Sequence, residues 1–135
     1  HQKATPMALT SFILVVGLVY QFVLRNLWAP TGLQMVVDEL LHTIIPILMY
    51  VYWLMFCSKA VVEWKQLSKW LFYPLGYVVF VLVRGHFSGF YPYPFLNVLE
   101  LGLGSVLLNS CFVLLLMLLV MAALYFLGKL LRPKQ

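Results

Sequence analysis

Polar residues break this chain at only a few points, and the apolar stretches between those breaks predict its elements. The pattern gives four helical spans, at about 7–24, 38–57, 70–83 and 99–127, within a single transmembrane domain covering 1–135. A helix crossing the ~30 Å hydrocarbon layer needs about 17–25 apolar residues, so the first span sits near the lower limit. Gly17 and Ser11 offer small side chains to a neighbouring helix. The third span is short, with Pro74 and Gly76 near its start. The linking stretches carry the breakers and the aromatic anchors. Pro30 and Gly32 follow Trp28, Trp64 and Trp70 flank a lysine-containing loop, and 84–97 (RGHFSGFYPYPFLN) is dense in Gly, Pro and aromatic residues. The stiff Tyr91-Pro92-Tyr93-Pro94 run is expected at headgroup level or folded back over the helices.

The second span anchors the reading. In DELLHTIIPILMYVYWLMF, Asp38 and His42 lie one helical turn apart on one face, so the carboxylate can reach the ring. Pro46 has no N–H to return to the carbonyl of residue 42. Polar groups of this kind are costly in hydrocarbon and are therefore functional candidates.

Composition supports the bilayer as solvent: 64% of the residues are hydrophobic and 10% are charged. A soluble domain of this length has no interior large enough to hide that much apolar surface. The formal net charge of +5 does not indicate nucleic acid, because Lys and Arg sit at the ends of apolar runs, where they meet lipid headgroups. Cys57 and Cys111 fall within or beside apolar runs, and no CxxC pair or Cys/His cluster occurs. Neither a structural metal nor another cofactor is expected. The chain starts at His1 and has no signal-peptide layout, which points to residues upstream.

The basic stretches at 58–69 and 128–135 are separated by two spans and can share the cytoplasmic side, which puts both termini there. Arg25, Asp38, Glu39, His42, Arg84, His86 and Glu100 then fall together in the opposite half. Within that group His42 is a candidate general base oriented by Asp38, or a histidine packed near the interface. Arg84, His86, Tyr91 and Tyr93 are candidates for holding a lipid headgroup or carboxylate, with a snorkelling arginine as the plainer reading. Glu100 reads as an ion partner of Arg84 or a charge at a helix N-terminus, and Asn109 as an oxyanion stabiliser or, more plainly, an interhelical hydrogen bond. No nucleophile stands out. Ser88 in GHFSG is not in a GxSxG elbow, and Thr43 points about 100° away from His42 on a helix.

Three stretches together resemble a known family: LWAPTGLQMVVDELLHTIIPILMYVYW (27–53), YPLGYVVFVLVRGHFSGFYPYPFLNV (73–98) and the asparagine of GSVLLNS (104–110). They resemble the C-terminal two-thirds of the bacterial six-helix "Pr-six-Pr" membrane proteins. That group is distantly similar to the eukaryotic androgen-induced and androgen-dependent membrane proteins. The resemblance implies an all-α, polytopic membrane helix bundle, with the four spans here forming part of a six-helix bundle in a bacterial inner membrane. Members of the eukaryotic family hydrolyse fatty acid esters of hydroxy fatty acids through a threonine and a histidine. Their histidine stands in an HTxxxP context, which maps to His42 in HTIIP with the proline one position closer. Their threonine lies upstream of residue 1. The chain as it stands is therefore expected to be a non-catalytic transmembrane subunit of a larger complex, in contact with lipid and with other membrane subunits. The alternative is a threonine/histidine lipid ester hydrolase whose nucleophile lies outside residues 1–135.

Overall fold

A computed structural model describes residues 5–27, 29–57 and 63–131. Among them there are helices and no strands, as the hydropathy pattern requires. The elements are α1 (Thr5–Val19), a π-helical turn (Tyr20–Leu24), α2 (Leu33–Glu39), a second π-helical turn (Leu40–Ile44) and α3 (Ile45–Phe56). They are followed by α4 (Trp64–Lys69), α5 (Phe72–Ser88), a short 3-10 turn (Pro94–Leu96) and α6 (Val98–Leu130). Among the described residues four helical stretches are long and apolar enough to cross a membrane: Thr5–Leu24, Leu33–Phe56, Trp64–Ser88 and Val98–Leu130.

The third span takes in α4 and so starts at Trp64 and not near residue 70, and three further boundaries differ from the sequence expectation for local reasons. The second span begins at Leu33, directly after Gly32, so Asp38 and Glu39 lie inside a helix and not at its start. Gly32 has φ +60°, a conformation that favours glycine, and the helix can start only after it. The third span runs on to Ser88, which places Arg84 and His86 within the last turns of α5 and not in a loop. Nothing in RGHFS breaks a helix. The stop is Gly89, left-handed at φ +67°, whose N–H bonds the Gly85 carbonyl. The fourth span runs to Leu130 but is broken at Gly102 (φ +75°, ψ +156°). Asn97 Oδ1 accepts from the Leu99 N–H at 3.1 Å and caps the short turn that precedes this break. Trp28 and the basic residues Lys3, Lys59, Arg132 and Lys134 lie outside the described residues.

The chain divides into two compact units. The first joins residues 1–67 to 117–135. In its interior α1 packs along α3, and Met7, Ala8, Val15, Trp53, Met121 and Leu124 are all buried. Thr10 and Ser11 are also fully buried, and each returns its hydroxyl to the carbonyl four residues back, at 2.7 and 2.9 Å. Gly17 lets the two helices close. A Cβ there would lie 2.9 Å from Pro46 Cγ and 3.0 Å from the His42 carbonyl oxygen. The carbonyl that Pro46 cannot serve thus faces the side of α1 that Gly17 leaves bare.

The second unit, residues 68–116, has a core of Val81, Leu96 and Val106. The Tyr-Pro segment folds back onto its own helices, one of the two placements the sequence allowed. Tyr91 lies flat on Gly85, where any Cβ would overlap its ring, and Tyr93 stacks on Phe95 with centroids 5.4 Å apart. Asn109 donates from Nδ2 to the Phe95 carbonyl at 3.0 Å and pins the segment to α6. A polar bond of this kind in a membrane contributes on average about 0.6 kcal/mol, enough to fix a loop and not enough to define a fold.

Candidate functional site

A cluster of side chain–side chain hydrogen bonds forms where the first π-helical turn meets the second. Gly17, Tyr20 and Gln21 are three and four residues apart and share a face of the first span. Asp38 with His42, and Glu39 with Thr43, are i,i+4 pairs offset by a single residue on the second. Each pair meets one residue of the first span, so two polar ladders stand side by side.

The first ladder holds the predicted dyad. His42 Nδ1 is 3.2 Å from Asp38 Oδ1 and 3.0 Å from the Asp38 carbonyl oxygen. A carbonyl and a carboxylate only accept, so Nδ1 carries a proton, and the neutral form of the ring has its lone pair on Nε2. Tyr20 donates its hydroxyl to the other carboxylate oxygen, Asp38 Oδ2. Its ring also stacks on the imidazole, with centroids 4.3 Å apart and planes 9° from parallel. The side chains of His42 and Asp38 are 25% and 14% exposed, so the pair is shielded without being sealed.

The second ladder is a closed ring of four side chains. Arg25 pairs with Glu39 at 2.6 Å, and Glu39 accepts from Thr43 at 2.6 Å. Gln21 donates to Thr43 at 2.7 Å and accepts from Arg25 at 2.6 Å. The sequence reading set Thr43 aside as badly placed for His42. The structure gives it a different task, in the neighbouring ladder.

The π-helical turns make this register possible. In each, an N–H reaches five residues back: Arg25 to the Tyr20 carbonyl at 2.8 Å, and Ile45 to that of Leu40. Such turns are rare and recur at functional sites. The second one ends beside Pro46, whose missing N–H already weakens the regular ladder.

The remaining candidates belong to the second unit. Arg84 and His86 are exposed, with the guanidinium 5.5 Å over the Phe90 ring and His86 edge-on to Phe87 at 5.3 Å. Tyr91 and Tyr93 are half-buried and serve the packing just described. Arg25 pairs with Glu39 and His42 with Asp38, whereas Glu100 and Arg84 are not joined to each other. Glu100 is instead exposed in the first turn of α6. Among the described residues no group of three His, Cys, Asp or Glu side chains is placed to hold a metal. Sequence reasoning passed over Tyr20 and Gln21. The available signal was their polarity at i+3 and i+4 from Gly17, at the end of an otherwise apolar span.

Fold and site together define an all-α membrane protein with a polar cluster inside apolar helices. Comparison with protein-family models, curated proteins and solved structures finds no match to this chain.

Proposed function

We propose that this chain carries an acid–base site acting on a lipid ester in a membrane, with His42 as the base and Asp38 as its orienter. The observation that supports this is the double hold on Nδ1, which leaves Nε2 as the lone pair free for chemistry. In the reaction, Nε2 takes the proton of an attacking hydroxyl as its oxygen adds to the ester carbonyl. It then returns that proton to the departing alkoxide. Water next cleaves the acyl intermediate by the same route, releasing the fatty acid. The attacking hydroxyl comes from outside the described residues, as the family resemblance implies.

A second reading follows from the hydroxyls near His42. Tyr20 is committed to Asp38 and Thr43 to Glu39. This favours a transmembrane subunit whose histidine meets a group supplied by another chain of a larger complex. One experiment separates the two. The purified full-length protein and its His42→Ala variant are assayed on a p-nitrophenyl fatty ester, with native mass spectrometry of the same samples. Hydrolysis by a lone chain, reduced at least ~100-fold by the variant, is the result expected of the hydrolase. Activity unchanged by the variant sinks the acid–base role. Hydrolysis that depends on both His42 and a co-purifying chain identifies the subunit.

The membrane we assign is a bacterial inner membrane, with both termini cytoplasmic and the His42 site in the opposite half. With Cys57 and Cys111 replaced, an impermeant thiol reagent added outside cells is expected to label Ser88→Cys and not Lys65→Cys. The reverse pattern would invert the topology.

A further inference from the structure

We propose that Tyr20 is the positioning residue of this site, setting both the carboxylate and the ring plane of the Asp38–His42 pair. The inference rests on the acid–base reading above and adds a third residue, from a different span. Tyr20 touches both partners at once, through its hydroxyl at Asp38 Oδ2 and its ring face on the imidazole. It is itself only 4% exposed.

Two freedoms threaten a histidine–carboxylate pair carried on one helix. The carboxylate can rotate and withdraw Oδ1 from the ring, and the ring can turn about its own side-chain bonds and exchange its two nitrogens. A donor on Oδ2 removes the first freedom, because rotation would break that charge-assisted bond in a site with little water. A parallel ring 4.3 Å away removes the second, because turning the imidazole would drive its edge into the phenol. The geometry of α1 delivers both. Tyr20 opens the π-helical turn and lies one turn beyond Gly17, whose contact with Pro46 fixes the separation of the two spans. A phenylalanine at this position would keep the stacking and lose the hydroxyl, so the two contributions can be separated.

The test uses the full chain in lipid nanodiscs with 15N-labelled histidine. The wild-type His42 is expected to show a single neutral tautomer protonated at Nδ1. Tyr20→Phe is expected to give a mixture of tautomers and about a tenfold fall in kcat on p-nitrophenyl fatty ester, with KM unchanged. Replacing Tyr20 with 3-fluorotyrosine keeps the shape and makes the phenol more acidic. This is expected to move the Nδ1 resonance even if the phenylalanine variant folds poorly. A His42 spectrum unchanged by the fluorinated residue, or by Tyr20→Phe in a folded sample, overturns the proposal. The tautomer readout does not need hydrolysis, so loss of the ester-hydrolase reading and loss of the Tyr20 role are separate results.

Discussion

Replacing Gly85 with valine is expected to lower the stability of the second unit by about 3 kcal/mol or more, the upper end of what overpacking costs. Tyr91 lies on the bare backbone of α5 at this position, and any Cβ would overlap its ring. The ring cannot simply swing away. Pro92 and Pro94 stiffen the segment, Asn109 holds the Phe95 carbonyl, and Leu96 is 3% exposed against Val81 and Val106. Expelling Tyr91 therefore pulls on the core. Thermal unfolding in detergent, followed by near-ultraviolet circular dichroism, measures the effect. Gly76→Ala is the control, because a Cβ there has nothing within 4 Å. Equal melting of the two variants would refute the account of Tyr91.

Gly17→Val is expected to cost a similar amount, about 3 kcal/mol, and to disorganise the polar ladders as well. The neighbours are Pro46 Cγ at 2.9 Å and the His42 carbonyl at 3.0 Å, a ring and a backbone atom, so neither can yield as a flexible side chain would. Added side-chain atoms must part α1 from α3. Helix association in lipid depends on close packing and hydrogen bonds, because the solvent is as apolar as the helices. Separation also moves Tyr20 and Gln21 away from Asp38 and Thr43, since both contacts depend on the same interhelical distance. Melting temperature and the His42 tautomer should therefore change together. A destabilised variant that keeps the wild-type tautomer would show that the ladders do not depend on this contact.

The helical class and the four apolar spans were legible because hydropathy alone determines them. The Asp38–His42 pairing was legible for a similar reason, as i,i+4 geometry is local to one helix. What stayed hidden depended on two spans meeting. Tyr20 looks like any tyrosine near a membrane interface until Asp38 is placed opposite it. Thr43 was judged only against its chain neighbour, although its partners Gln21 and Glu39 lie on two different elements. The end of α5 was missed because the whole Gly-, Pro- and aromatic-rich stretch at 84–97 was read as a linker from its first residue. Only Gly89 takes the left-handed conformation that stops a helix, and Gly85 is small for the sake of Tyr91.

The single-residue offset between the two ladders has a consequence for how the first two spans find each other. Leucine, valine and isoleucine surfaces sliding past one another in lipid offer many alignments of nearly equal energy. A slip of one residue here would bring Tyr20 opposite Glu39 and Gln21 opposite Leu40, breaking several hydrogen bonds at once in a medium that cannot replace them. The paired ladders thus act like the teeth of a key, selecting one alignment out of many.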